Sequence, residues 1–226
     1  MSNSSLRNFA VGGHGKVVQH LARHAMSSGC IILPMTCDPA HASDLPNLPA
    51  SRADRLQPIV ASVDAAAGAG GKGGQERTQV VDYECTVKFF DAIGRSKIAS
   101  NDGFRHLLVV SAINMHALAR KPNWYKDKEF ECTKTAREKI RFYAKMNRVA
   151  DKDIAKRSAF PWFVLRPRSL SMTRISPDDV EAVLLKMAEL PRESKIDGLM
   201  LELTNGDEVG ATAEAAVQRG RSDWIG

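Results

Sequence analysis

Apolar segments along this chain alternate between short continuous runs and runs with helical spacing. Residues 6–11 form a short, mostly apolar run that predicts a strand, and the glycine-rich residues 12–15 follow at once. Apolar positions at helical spacing then continue up to Gly29, and residues 30–33 form a second apolar run. A strand, a helix and a strand of these lengths predict a right-handed parallel crossover. We therefore expect a parallel sheet to begin here.

The same alternation resumes after a poorly patterned segment. Residues 34–74 are rich in Pro, Ala, Ser and Gly, and within them residues 58–63 resemble a strand. A helical face that ends at Gly94 and a strand at residues 104–110, just before Ser111, make another helix-to-strand step. That helical face consists of Val81, Cys85, Phe89 and Ile93.

The carboxyl-terminal part has the clearest boundaries. A long helix leads into a strand at residues 162–165, which we expect Arg166 and Pro167 to stop. Ser176 precedes a proline and two aspartates, which predicts a capped helix start, and residues 199–203 predict a last strand. The long helix should bury one face formed by Ile140, Tyr143, Met146 or Asn147, Ala150 and Ile154.

Strands and helices thus alternate from end to end, which predicts an α/β protein with a doubly wound parallel sheet, a Rossmann fold of three α/β/α layers. The length of 226 residues and the hydrophobic content of 43% suit one fully cored domain over residues 1–226.

The charge pattern and the hydropathy exclude several classes of protein. The net charge is +6, but acids and bases are interleaved, as in residues 124–129, which indicates a solvated surface and not a nucleic-acid interface. No apolar run approaches the ~20 residues that cross a bilayer, and residues 1–7 are polar. The four cysteines are scattered and should be reduced thiols. We expect a cytoplasmic protein without membrane contact.

The glycines after the first strand are suited to a nicotinamide dinucleotide. Gly12, Gly13 and Gly15 lie between a strand and a helix, where the backbone can approach a pyrophosphate held at the helix N-terminus. The full three-glycine fingerprint would also have glycine at Val18. The alternative is an ordinary tight turn with no ligand. Lys16 is followed by valine and not by Ser or Thr, which argues against an ATPase phosphate loop.

Two histidines one helical turn apart raise the question of a metal. His20 and His24 could share an ion, but no glutamate lies between them in the zinc-protease manner and the sequence offers no evident third ligand. We therefore expect surface histidines and no metal.

Motifs spread over nearly the whole chain resemble one family, the atypical short-chain dehydrogenases/reductases. These are small NAD(P)-binding proteins related to sugar-nucleotide epimerases and to NmrA-like regulators. The most specific of the motifs is the Ala-Gly-Ala-Gly-Gly-Lys-Gly run. The motifs that carry the resemblance are residues 11–17, 67–74, 81–84 and 109–112, Tyr143-Ala144-Lys145 with Ala150-Asp151, and Leu165-Arg166-Pro167.

The resemblance implies a set of cofactor-binding residues. Asp38 stands where an acidic side chain would bind a ribose 2′-hydroxyl and favour NAD, although Asp38-Pro39 can equally be a simple loop start. The choice between NAD and NADP stays open. The implied set is Gly12, Gly13, His14, Gly15, Lys16 and Val17 at the diphosphate, Ala67, Gly68 and Ala69 at the end of the family's fourth strand, and Asp38, Ser111, Lys145 and Pro167.

The resemblance also implies a catalytic set, with one departure. In active short-chain reductases a tyrosine donates the proton, a lysine four residues later lowers its pKa, and a serine polarises the carbonyl. Lys145 matches the lysine and Ser111 the serine, but Arg141 stands where the tyrosine should be. Tyr143 is two residues from Lys145 and would need a shifted register.

Two segments are shorter than the family pattern. The chain between Cys37 and Ala67 is short for a helix-strand-helix, so we expect one strand-helix unit to be missing or rudimentary. The long loop expected after Arg166 is cut short by the helix start at Ser176. We therefore expect an open or altered substrate side.

Together these features favour an NAD(P)-dependent oxidoreductase or epimerase-like enzyme that acts on an unidentified small organic carbonyl or alcohol, as a monomer or homodimer. One alternative is a non-catalytic NAD(P)-sensing regulator of the NmrA-like kind. The other is a degenerate paralogue that folds poorly.

Overall fold

The structure is a computed structural model, and it describes residues 7–11, 16–27, 31–36, 59–60, 74–96, 104–112, 121, 125–167, 175–203, 209–220 and 222–223. Strands and helices alternate through these residues as the apolar pattern predicts. The strands are β1 (Arg7–Val11), β2 (Ile31–Thr36), β3 (Ile59–Val60), β4 (Leu107–Val110), β5 (Trp162–Pro167) and β6 (Leu199–Leu203).

Seven α-helices and one π-helix are described between and after these strands. They are α1 (Lys16–Ser27), α2 (Gly74–Thr78), a π-helix (Gln79–Cys85), α3 (Thr86–Arg95), α4 (Asp127–Lys139), α5 (Arg141–Ile154), α6 (Pro177–Glu189) and α7 (Val209–Arg219). Among the described helices, none is both long and apolar enough to span a membrane.

The amino-terminal sheet has the order β1-β2-β3, and both of its pairings are parallel. The pairing of Arg7 with Ile31 through Val11 with Met35 confirms the predicted parallel crossover. Of the strand predicted at residues 58–63, the structure describes the two residues of β3, which pair with the end of β2. The described residues of β3 therefore add a third parallel strand to this sheet.

The carboxyl-terminal sheet has the order β4-β5-β6 and is also parallel. Leu199–Leu203 forms β6 as predicted. Arg166 and Pro167 do not stop β5, contrary to the prediction, because they continue its pairing with Glu202 and Leu203 of β6. Together the two sheets and their flanking helices form the predicted α/β, doubly wound parallel fold.

The molecule has an amino-terminal half around the sheet β1-β2-β3 and a carboxyl-terminal half around the sheet β4-β5-β6. The helix α1 of the first half packs against α6 of the second and so joins them. Val17 and Leu21 of α1 lie against the core that covers one face of the second sheet. Apolar side chains at positions four residues apart lie on the same face of a helix, so α1 is anchored to the second half along this stripe.

The long helix predicted before β5 is interrupted. Ile140 adopts a backbone conformation of φ −117°, ψ 30° between α4 and α5, and its side chain is 42% exposed. Its predicted place on the buried face is therefore wrong, because the backbone leaves the helical region at this residue. Ala150 and Ile154 are buried as predicted.

The helix before β4 also differs from a regular α-helix. Its first two turns after Thr78 form a seven-residue π-helix, which ends at Cys85 and continues into α3. Cys85 and Phe90 are buried, and the helix ends at Arg95, one residue beyond the predicted end. Short π-segments inside α-helices are rare and often lie near functional sites.

The start of α6 is the cap that the sequence predicts. The amide of Asp179 donates to the Ser176 hydroxyl oxygen at 3.1 Å, and the amide of Ser176 donates to the Asp179 carboxylate at 3.0 Å. Pro177 begins the helix. Two backbone donors at the helix start are thus satisfied by this reciprocal pair.

Candidate functional site

The candidate site lies at the carboxyl edge of the sheet, where ligands bind in open α/β folds. The strand β1 ends at Val11, and α1 begins at Lys16, so the short segment between them connects a strand end to a helix N-terminus. In the second sheet, β4 ends just before Ser111 and β5 ends at Pro167. The predicted residues Gly12, Gly13, His14, Gly15, Asp38, Ala67, Gly68 and Ala69 lie outside the described residues.

The N-terminus of α1 is chemically suited to an anion. Its first turn, from Lys16 to Gln19, contains no acidic residue. A helix N-terminus carries unpaired amide groups and a partial positive charge, and a nearby carboxylate would compete with a phosphate for both. The described start of α1 therefore fits the diphosphate of a dinucleotide. Val17, predicted to lie at the diphosphate, packs with its side chain on the core of the second half.

Ser111 lies at the end of β4 and is held by two hydrogen bonds. Its amide donates to the carbonyl of Leu165 at 2.9 Å and so extends the pairing of β4 with β5. Its hydroxyl donates to the Asp151 carboxylate at 3.1 Å. A serine hydroxyl has a single proton, so this bond leaves its lone pairs for other partners.

The Asp151 carboxylate is in turn held by Arg166. The Nε and Nη2 atoms of Arg166 donate to the same carboxylate oxygen at 3.1 and 2.8 Å. The Arg166 side chain is fully buried and that of Asp151 is 4% exposed. Since an unpaired buried charge is costly, each group holds the other in place. The buried pair therefore fixes the position of the carboxylate that binds Ser111.

Tyr143 lies on the same face of α5, two helical turns before Asp151. Burial raises the pKa of the Tyr143 hydroxyl above its ordinary value, the charges of Asp82 and Asp151 raise it further, and the Asn147 amide opposes them in part. Asp82 is a buried residue of the π-helix, which packs against α5. The surroundings of Tyr143 thus favour its protonated form.

Lys145 does not share this environment, because its side chain is exposed on α5. Residues two apart on a helix point in nearly opposite directions, whereas residues four apart share a face. The residue four positions after Tyr143 is Asn147, whose Nδ2 donates to the Tyr143 carbonyl at 3.1 Å. If Tyr143 is the acid, the shifted register therefore places Asn147, and not a lysine, four residues after the tyrosine.

Sequence reasoning missed the roles of Asn147 and Asp151, although a signal was present. Tyr143, Asn147 and Asp151 are spaced four residues apart and so line one face of α5. A search for polar residues at this spacing would have found the set. The burial of Arg166 had no such signal, since it depends on how β5 meets α5 in space.

Sequence comparison with known proteins identifies the family of this chain and a relative. A family model described as NAD(P)H-binding matches residues 12–196. The chain is also 32% identical over 178 residues to a UPF0659 protein of Schizosaccharomyces pombe, a match that covers 71% of this chain and 69% of that protein.

Solved structures with low sequence identity share the fold. The oxidoreductase ylbE from Lactococcus lactis superposes with a TM-score of 0.68 at 14% identity, over 95% of this chain and 98% of that one. The Bordetella bronchiseptica enzyme WbmG, solved in complex with NAD, gives a TM-score of 0.59 at 14% identity, over 96% and 79%. A metagenomic short-chain oxidoreductase, solved in complex with NADP, gives 0.54 at 14% identity, over 90% and 100%.

Proposed function

The chain belongs to the NAD(P)H-binding family, and on that premise we propose that it is an NAD(P)-dependent oxidoreductase or epimerase-like enzyme for a small organic carbonyl or alcohol. The observation that carries the proposal is the hydrogen bond from the Ser111 hydroxyl to the buried Asp151 carboxylate, with Tyr143 two helical turns before Asp151 on the same face of α5. Ser111 lies at the carboxyl edge of the sheet, where open α/β folds bind their ligands.

The cofactor is NAD or NADP, and the described start of α1 fits its diphosphate. When bound, the nicotinamide ring supplies or accepts the hydride. We propose that residues 12–17 hold the diphosphate and that Ala67, Gly68, Ala69 and Pro167 lie along the cofactor. Exposed on α5, Lys145 is our proposed contact to the cofactor ribose.

Asp38 is our proposed determinant of cofactor choice. An acidic side chain that binds a ribose 2′-hydroxyl repels a 2′-phosphate, so it favours NAD over NADP. Titration of the Asp38→Asn variant with NADH and NADPH tests this role. A change in the ratio of the two dissociation constants supports it, whereas an unchanged ratio leaves Asp38 as a simple loop residue.

Ser111 acts in this proposal as a hydrogen-bond acceptor. Because its proton is donated to Asp151, it cannot also polarise a carbonyl oxygen while that bond is kept. Its lone pairs can accept from a donor such as the hydroxyl of an alcohol. We therefore propose that Ser111 orients the hydroxyl group of the substrate or product by accepting its hydrogen bond.

Tyr143 acts as the proton donor. Its burial and the carboxylates of Asp82 and Asp151 keep the phenol protonated. A protonated phenol can deliver its proton to the oxygen of a carbonyl as that oxygen gains charge during reduction. The surroundings of Tyr143 therefore keep it in the protonated form that carbonyl reduction needs, although the raised pKa also makes it a weaker acid than an ordinary tyrosine.

The test is turnover of NADPH and NADH with a panel of quinones, aldehydes and ketones. Tyr143→Phe should lower kcat by roughly 100-fold or more, in the range of general acid catalysis, with little change in cofactor affinity. Tyr83→Phe, the same chemical change in the π-helix, is the matched control and should keep full turnover. Equal rates in Tyr143→Phe and the unaltered protein would contradict the assignment.

A non-catalytic NAD(P)-sensing regulator is the second candidate. The observation that favours it is that Lys145 is exposed and that the residue four positions after Tyr143 is Asn147 and not a lysine. A neutral amide cannot lower the pKa of a phenol by charge as a lysine does. Tight cofactor binding without turnover across the whole panel would favour this second candidate.

A further inference from the structure

A cluster of metal-ligating side chains lies between α1 and α6, apart from the carboxyl edge. His20 of α1 faces Asp178 and Glu181 of α6, and the Nδ1 atom of His20 lies 2.5 Å from Oδ1 of Asp178. One ligand atom from each of the three residues lies within 4.8 Å of the other two. The cluster thus joins donor atoms from the two halves of the molecule.

The packing of both helices fixes the backbone of the cluster. His20 lies between Val17 and Leu21, which anchor α1 on the core. On α6, Asp178 and Glu181 are three residues apart and therefore lie on one face of the helix. The three side chains face one another because the helices pack, and not because they are close in sequence.

The three side chains of the cluster differ in how much of their surface is exposed to solvent. Glu181 is buried, with 4% of its surface exposed, whereas the Asp178 side chain is 69% exposed and that of His20 is 32% exposed. A buried carboxylate is stabilised by a nearby positive charge. The exposed side of the cluster gives an ion a path of entry and Asp178 room to rotate toward it.

The donor set has the chemistry of a transition-metal site. One imidazole nitrogen and two carboxylate oxygens are ligands that zinc accepts at about 2.0–2.2 Å, and a fourth position would take water. Magnesium and calcium prefer sites built from oxygen alone, so the imidazole selects against them.

We propose that His20, Asp178 and Glu181 bind a divalent transition-metal ion, with zinc as the best match. The ion would cross-link α1, which follows the dinucleotide turn, to α6 of the second half. Its role is structural, because the three ligands lie on helix faces and the proposed reacting groups lie on β4 and α5. This proposal does not depend on the proposed enzymatic function.

The experiment is a calorimetric titration of chelator-treated full-length protein with zinc chloride, followed by thermal melting with and without the ion. We expect saturable binding at this site and a higher melting temperature with zinc. The variants His20→Gln and Glu181→Gln should each weaken that binding by at least about tenfold. Cobalt added instead of zinc gives a visible spectrum that should change in the same variants.

Two control variants distinguish zinc binding at this cluster from nonspecific binding to other surface groups. Glu189→Gln removes an exposed acid from the same helix, and His24→Gln removes the next histidine of α1, so both should leave zinc binding unchanged. Since Glu181 is buried, the partly exposed His20 is the safer position to alter, and circular dichroism checks that each variant is folded. Absence of zinc binding by the folded protein, or equal binding by His20→Gln, would overturn the proposal and leave an interhelical ion pair.

Discussion

Polar groups at the carboxyl edge have different partners in the two halves of the molecule. In the carboxyl-terminal half, Ser176 and Asp179 cap the start of α6, and Asp151 is bound by Ser111 and Arg166. In the amino-terminal half, the first turn of α1 has no acidic residue of its own. In the carboxyl-terminal half these polar groups are thus paired with one another, whereas the described first turn of α1 has no acidic side chain that would compete with a ligand for its amides.

The largest expected effect comes from breaking the buried pair of the carboxyl-terminal half. Asp151→Asn leaves the Arg166 charge buried without its partner and should lower the free energy of unfolding by about 3–5 kcal/mol. Urea denaturation followed by circular dichroism measures this.

The matched control for that variant is Asp153→Asn. Asp153 pairs with Arg157 at 2.6 Å nearer the surface, so its loss should cost less than about 1 kcal/mol. Replacing both members of the buried pair, with Asp151→Asn and Arg166→Met together, should recover part of the lost stability. Equal costs for Asp151→Asn and Asp153→Asn would contradict the distinction between the two pairs.

The second effect concerns the open helix end of the amino-terminal half. Gly13→Asp places a negative charge where we propose the pyrophosphate binds, and like charges in contact cost several kcal/mol. Calorimetric titration with NADPH and NADH should therefore show affinity reduced by roughly 100-fold or more. Unchanged affinity in the folded variant would mean that the dinucleotide does not bind at this turn.

A smaller effect is expected from removing the cap of α6 in the carboxyl-terminal half. Ser176→Ala removes the cap of α6 and should lower the free energy of unfolding by about 1 kcal/mol, while cofactor affinity stays the same. Thermal melting and the same titration measure both quantities. Ser158→Ala, at an exposed serine, is the control. A large loss of cofactor affinity in Ser176→Ala would show that the two helix ends are not independent.

The smallest effect is a dependence on alkaline pH. The pKa of Tyr143 is raised chiefly by burial, so the folded chain keeps a proton that the unfolded chain loses near pH ~10. Stability should therefore fall as the pH rises above that value. Tyr143→Phe should make this fall less steep, as measured by urea denaturation at several pH values. If the free energy of unfolding falls equally steeply with pH in Tyr143→Phe and in the unaltered protein, Tyr143 is not the cause of the fall.

The parts predicted best from the sequence are those fixed by local chemistry. Ser176-Pro177-Asp178-Asp179 carries its own cap, so the start of α6 was predicted correctly. The prediction for β6 was correct because four of its five residues are apolar and buried. The prediction failed at Ile140, where apolar spacing continues although the backbone breaks. Periodicity reports which faces can be buried, and it does not report a break in backbone conformation.

The sequence by itself determined the alternation of strands and helices, because apolar spacing depends on neighbours within a few residues, and the parallel pairing followed from that alternation. Tertiary structure alone decided that Arg166 is buried on Asp151 and that Ser111 donates its proton there. It also decided that His20 meets Asp178. These contacts join residues far apart in the chain, and their distances depend on how helices pack on the sheet, which no local spacing specifies.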